Sequence, residues 1–249
     1  MARGSGSSAA LAPPSPLPPD FLLSVLVPTY NEKGTIREIL GRVREAPFRK
    51  EILVVDDAST DGTQQELEGL REEFPELRLF RHAANRGKGA SLRTAFAEAR
   101  GDVWLIQDAD LEYSPEDYPR LLRPIIEGKA HVVYGSRFTG GSYVRVHLFS
   151  HYLGNRILTL WSNLLTGLNL TDMETCYKAM RREVAARISI RSDGFNVEPE
   201  LTAKIARMRA RIFEVPISYA GRDFSEGKKI SWRHGLAALW AVLRFRLAD

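Results

Sequence analysis

The sequence predicts an α/β fold: a mostly parallel central sheet with helices on both faces. Three observations lead there. From Phe21 onward, short apolar runs alternate with helix-like segments. Runs such as Val103-Trp104-Leu105-Ile106 lack the apolar/polar alternation of a half-exposed strand and suit strands covered on both sides. Several runs also end in clusters of Asp, Asn and Glu, at the strand ends where open α/β sheets bind ligands.

Residues 1–20 are rich in Ala, Ser, Gly and Pro and carry no apolar period, the composition of a flexible tail. That leaves 21–249 as one domain. Strands are expected at 24–29, 51–55, 77–80, 103–107 and 131–134, and helices near 33–45, 62–74, 88–100 and 115–127. Ser114-Pro115-Glu116-Asp117 is a helix start, with a capping hydroxyl, Pro at the first position and acids in the first turn. Asp61 has the residue type of a cap for the second helix.

Further on, Val146, Phe149, Leu153, Ile157, Leu160, Trp161 and Leu164 form an apolar helical stripe. A second runs through Trp232, Leu236, Leu239, Trp240, Leu243 and Leu247, flanked by Arg233, Arg244 and Arg246. Core packing explains much of the second stripe; a helix lying on a membrane explains the Trp and Arg flank as well. No apolar stretch approaches the roughly 18 residues needed to span a bilayer, and 21–28 is too short for a secretory core. A cytosolic or peripheral membrane protein is expected.

The chemistry concentrates where the fourth strand ends, at Gln107-Asp108-Ala109-Asp110-Leu111-Glu112. In extended backbone, residues two apart point the same way, so Asp108, Asp110 and Glu112 are expected to converge. Such a set repels itself unless a cation neutralises it, and hard oxygens suit Mg2+ or Mn2+, which hold substrate phosphates. A solvated acidic turn is the bland alternative; the strand-end position favours the metal–phosphate site. Asp56 and Asp57, closing the second strand, are placed to accept hydrogen bonds from a base or ribose. In Asn85-Arg86-Gly87-Lys88-Gly89-Ala90 the glycines permit close backbone approach and Lys88 can meet a phosphate or sugar, although this is not a P-loop.

The 249 residues are 44% hydrophobic and 27% charged, with a net charge of +4, enough for one large domain or two small ones. The modest basic excess fits phosphate-bearing substrates or an anionic membrane surface. Basic residues are not interleaved with aromatics, so no nucleic-acid partner is expected. The single cysteine, Cys176, excludes an internal disulfide and reads as a small packing residue. The first strand ends in PTYNE rather than a G-x-G-x-x-G turn, which argues against a nicotinamide oxidoreductase.

Taken in order, VPTYNE, VVDDASTDGT, NRGKGAS, DADLEYSPED, GSRF, DMETCYKAM, GFNVEPEL and EVPISYAGRDFSEGKKISW resemble family 2 glycosyltransferases with the GT-A (Rossmann-like) fold. Within them the chain looks most like the dolichyl- or polyprenyl-phosphate sugar synthases, over about residues 21–247. The resemblance implies that Asp108, Asp110 and Glu112 bind Mg2+ or Mn2+ on the donor diphosphate. Glu112 stands where Gln is common in the mannosyl enzymes. Pro28, Tyr30, Glu32, Asp56 and Asp57 match nucleoside-contacting positions, and Arg137 matches an arginine that meets the acceptor phosphate. His147 and His151 stand nearest, by spacing, to further lipid-phosphate ligands; surface histidines are the alternative. Arg222, Lys228 and Lys229 suggest a basic clamp over the diphosphate. Asp172 orients the sugar or acceptor, or caps a turn.

The expected reaction is metal-dependent inverting transfer from a nucleoside-diphosphate sugar (GDP-mannose or UDP-glucose) to polyprenyl or dolichyl phosphate. It would run at the cytoplasmic face of a membrane, with or without a transmembrane partner subunit. The alternatives are transfer to a saccharide hydroxyl, with Asp172 as base, and a non-catalytic sugar-nucleotide-binding or membrane-adaptor subunit. The acidic triad and Arg137 argue against the latter.

Overall fold

The computed structural model describes residues 11–140, 149–221 and 232–247, with side chains of the last segment from 239 to 246. In chain order the elements are β1 (Leu23–Thr29), α1 (Ile36–Glu45), β2 (Lys50–Asp56), α2 (Thr63–Glu73), β3 (Leu77–Arg81), α3 (Lys88–Glu98), β4 (Val103–Ile106), a 3-10 turn (Pro115–Asp117), α4 (Tyr118–Ile126), β5 (Val132–Ser136), α5 (Phe149–Thr166), β6 (Lys178–Arg181), α6 (Arg182–Ala185), α7 (Val197–Arg207), β7 (Ile212–Pro216) and α8 (Trp232–Leu247). The five expected strands and the four helices between them are present, with ends shifted by a few residues.

The strands form one sheet in the order β3-β2-β1-β4-β6-β5-β7. Only β6 runs against its neighbours. From β1 the chain steps outward through β2 to β3, then returns to lay β4 on the other side of β1. This reversal opens a crevice at the carboxyl ends of β1 and β4, the usual ligand position in open α/β sheets. VPTYNE and the acidic segment lie on its two sides. β6 escapes a reading by hydropathy because it is Lys-Ala-Met-Arg, yet all four residues are buried. β7 is a half-exposed edge strand with weak patterning.

Ser114 Oγ accepts from Glu116 N at 3.3 Å, as a capping residue should. Asp61 accepts from Thr63 N at 3.0 Å and Lys33 N at 3.1 Å. It thereby holds the start of α2 behind Gly62, whose φ is +98°. Residues 11–20, expected to be tail, lie against the fold instead. Pro14 is buried, Leu17 N donates to Ile126 O at 3.0 Å, and His131 Nε2 reaches Ala12 O at 2.8 Å. Prolines restrict the free chain, so docking such a segment loses less entropy than its composition suggests.

α5 inverts the usual pattern. Its apolar stripe faces outward: Phe149 is 74% exposed, Leu153 45%, Ile157 52%, Leu160 60% and Leu164 71%. Its buried positions are polar instead, at Thr159, Ser162 and Thr166. Thr159 Oγ1 accepts from Met173 N at 3.2 Å, and Asn163 exchanges two hydrogen bonds with the Leu170 backbone, at 2.8 and 3.0 Å. In α8, the buried face is not the expected stripe, of which Trp232, Leu236 and Leu247 lie outside the residues whose side chains are described. Ala241, Val242 and Phe245 are buried, Leu239 and Leu243 are half-buried, and Trp161 Nε1 donates to Leu239 O at 3.1 Å. Trp240, 64% exposed, is the large apolar side chain of its described residues that faces out.

Candidate active site

After β1 and β2 the chain turns through two non-glycine residues in the left-handed region, Asn31 (φ +54°) and Ala58 (φ +61°). Asn31 N donates to Ser59 Oγ at 2.9 Å and Thr60 N to Asn31 Oδ1 at 2.8 Å, so the loops brace each other. Strained backbone held by its surroundings is a common feature of binding sites. Tyr30 is exposed beside this brace and Pro28 is half-buried. Glu32 N donates to Thr63 Oγ1 at 3.0 Å, and Thr35 Oγ1 bonds the Ala109 carbonyl at 3.0 Å, tying the first loop to the acidic segment.

The two aspartates after β2 differ. Asp57 is consumed internally, accepting from Arg86 N at 3.0 Å, Gly87 N at 2.6 Å and His82 Nδ1 at 2.6 Å. It therefore shapes the NRGKG turn. Asp56 Oδ1 accepts from Ser59 N at 3.1 Å, while its buried Oδ2 has no hydrogen-bond partner among the described residues and sits 3.6 Å from Arg81 Nε. Asp56 keeps an acceptor for a ligand; Asp57 does not.

The NRGKG glycines do allow close approach, but to this chain itself. A Cβ on Gly87 would lie 2.5 Å from Asp193 O, and one on Gly89 only 2.1 Å from Ser192 O. Gly89→Ala is expected to cost about 1–3 kcal/mol through overpacking, read as a lower urea midpoint. An unchanged midpoint would mean that the 190–194 segment yields.

β4 ends at Ile106, and the acidic segment beyond it is not extended, so the alternation expected for its carboxylates is lost. Asp108 meets Lys88 Nζ at 2.7 Å; Glu112 accepts from Tyr219 Oη at 2.7 Å; Asp110 Oδ1 accepts from Glu112 N at 3.1 Å. Among the described residues no group of three His, Cys, Asp or Glu is arranged to hold a metal. Burial would push the Asp108 carboxyl up, but the Lys88 ammonium holds it below the usual range. Lys88 also reaches Glu198 Oε1 at 3.0 Å, and the other Glu198 oxygen pairs with the buried Lys178. Cys176 is packed beneath, its thiol 3.8 Å from Ile106 O and pushed up by burial, which suits packing and not nucleophilic attack.

Across the crevice, Arg137 grips Asp172 with two parallel bonds, Nε–Oδ2 at 2.6 Å and Nη2–Oδ1 at 2.7 Å. Arg137 N adds a third bond to Asp172, at 3.1 Å, and Asn155 of α5 a fourth, at 3.2 Å. Glu214 of β7 accepts from Thr171 N at 2.9 Å and Asp172 N at 3.2 Å, fixing that loop. Burial raises the Asp172 carboxyl, yet Arg137 brings it below its ordinary value, so it is a weak base. The Arg137 guanidinium lies over the Tyr219 ring at 5.1 Å. His151 is half-buried in the first turn of α5, while His147, Arg222, Lys228 and Lys229 lie outside the described residues.

Hydropathy and spacing missed Glu174, Lys178, Glu198, Glu214 and Tyr219. A lysine inside the apolar Tyr177-Lys178-Ala179-Met180 was the available signal, because a charge there must find a buried partner.

Residues 24–189 match the family described as Glycosyl transferase family 2, and the chain belongs to it. It is 34% identical to the undecaprenyl-phosphate mannosyltransferase of Micrococcus luteus, over 89% of this chain and 97% of that one. It is 31% identical to the polyprenol monophosphomannose synthase of Mycolicibacterium smegmatis, over 86% and 83%. The glucosyl-3-phosphoglycerate synthase of Mycobacterium tuberculosis, solved with Mn2+, UDP and phosphoglyceric acid, shares the fold. Its TM-score is 0.68 at 19% identity, covering 92% of this chain and 78% of that one. The chain is a glycosyltransferase with the GT-A fold.

Proposed function

We propose that this enzyme moves a hexose, with inversion and with a divalent cation, from a nucleoside-diphosphate sugar to the phosphate of a polyprenyl or dolichyl carrier. GDP-mannose and UDP-glucose are the donors to test. The observation that carries the lipid acceptor is a continuous path from Arg137 to the bare face of α5. The Arg137 guanidinium lies 5.7 Å from the Phe138 ring, Phe138 meets Tyr152 edge-on at 5.4 Å, and Tyr152 neighbours Phe149 at 6.5 Å. Phe149 begins the exposed stripe. A phosphate at Arg137 would thus have apolar surface leading away from it. The names of the relatives support the same acceptor. Transfer to a saccharide hydroxyl would need a base, and Asp172, committed to Arg137, is poorly suited to that role.

Asp110 and Glu112 fit Mg2+ or Mn2+, which are held by one or two carboxylates together with substrate phosphates. Asp108 would join them only by exchanging the Lys88 ammonium for the ion. The cation, when bound, supplies charge neutralisation at the donor diphosphate. Asp56 would accept from the nucleoside, with Pro28, Tyr30 and Glu32 beside it. Lys88, Arg222, Lys228 and Lys229 would face the diphosphate, and Arg137 the lipid phosphate, with His147 and His151 nearby.

No helix among the described residues is long and apolar enough to cross a membrane. The α5 stripe, with Trp240 and the exposed Arg156, Arg244 and Arg246, supports docking onto an anionic leaflet. Immersing a half-exposed leucine contributes about 1 kcal/mol. Replacing Ile157, Leu160 and Leu164 together with Ser should weaken sedimentation with anionic vesicles by roughly 100-fold at unchanged donor affinity. Unchanged sedimentation would remove α5 from the interface; a wild type that never sediments would point to a transmembrane partner.

A further inference from the structure

Glu174 belongs to neither half of the site as described, yet it sits between them. Two residues before it, Asp172 clamps Arg137; two residues after it, Cys176 packs against the end of β4. The carbonyls on either side of it, those of Met173 and Thr175, both accept from the buried Lys178 ammonium, so its backbone is pinned. Its Oε1 is buried and has no hydrogen-bond partner among the described residues. A buried, unmade acceptor is costly and calls for a partner arriving from outside.

The acceptor proposed above brings one. A phosphate monoester loses its second proton near pH 6, so part of the pool still carries a proton near neutrality. We propose that Glu174 is a catalytic residue that takes this proton from the acceptor phosphate as its oxygen attacks the anomeric carbon of the donor. The bond from the phosphate oxygen to that carbon forms while the bond to the diphosphate oxygen breaks. That electron pair leaves with the nucleoside diphosphate, and the proton ends on Glu174. The inference rests on the lipid-phosphate reading.

The surroundings suit the task. Burial pushes the Glu174 carboxyl up to about 7, helped by Glu198 of α7 and Asp172 of its own loop. Lys178 of β6 and Arg137 after β5 pull the other way. A base is most effective with its pKa near the working pH.

The test is kcat/KM for polyprenyl phosphate from about pH 5 to about 9, for wild type, Glu174→Gln and Glu174→Asp, with donor affinity by calorimetry. Wild type should rise from about pH 5, pass a maximum and fall through a step near pH 7, because transfer by this route needs a protonated acceptor phosphate together with an ionised Glu174. The Gln variant should fall by roughly 100-fold, lose that step and bind donor normally. The Asp variant should keep part of the rate and a displaced step. A Gln variant with wild-type rate and profile overturns the assignment, as does one whose donor affinity falls in parallel with its rate. If neither variant folds, a wild-type profile without a step near pH 7 still overturns it. Wild type that transfers nothing to polyprenyl phosphate would instead overturn the acceptor reading itself.

Discussion

Asp110→Asn is expected to reduce sugar transfer by at least ~1000-fold, equivalent to about 4 kcal/mol of transition-state stabilisation, with little change in unfolding midpoint. The Asn side chain keeps a carbonyl oxygen for the bond that Glu112 N makes to Oδ1, so the local turn survives. What disappears is negative charge for the cation on the leaving diphosphate. Asp108→Asn should differ in kind. It withdraws the carboxylate 2.7 Å from the buried Lys88 ammonium, leaving Glu198 to balance both Lys88 and Lys178. Breaking a buried pair costs about 3–5 kcal/mol when nothing replaces the partner, so this variant should lose stability as well as activity. Assaying both in metal-controlled buffer, beside urea unfolding, separates the roles. Near-normal turnover of Asp110→Asn would remove Asp110 from the site.

Arg137→Ala is expected to combine two losses. Asp172, fully buried, loses both parallel bonds and its counter-charge, at about 3–5 kcal/mol of stability. Use of lipid phosphate should fall more steeply than donor affinity. Adding Asp172→Asn removes the stranded charge, so the double variant should regain most of the stability and none of the acceptor binding. Recovery of both together would mean that Arg137 serves the fold alone. Equal loss of donor and acceptor affinity in the single variant would also count against its place at the acceptor.

The sheet was legible because its central strands obey one rule: β1, β2 and β4 are covered on both faces, and their apolar runs say so. The crevice was legible because polar residues at strand ends mark it. Individual side-chain partners were not. Asp56 and Asp57 are adjacent and alike in sequence, but only the fold brings Arg86 N and Gly87 N to Asp57, leaving Asp56 with an unmade acceptor. Asp108, Asp110 and Glu112 have the spacing of a converging set, but convergence assumes extended backbone that ends at Ile106. The apolar stripe of α5 was visible, but periodicity cannot tell which solvent the stripe faces. Asn155, Thr159 and Asn163, bonded inward to the 170–173 segment, settle that it faces out.

The most direct test of the account is a radiolabelled sugar-transfer assay with the purified chain and Mn2+. It would offer GDP-mannose and UDP-glucose separately, against polyprenyl phosphate and against saccharide acceptors. The account predicts label in the organic-extractable lipid phosphate product from one of the two donors, and none in saccharide. Label that enters saccharide and not lipid, or transfer from neither donor, would contradict it.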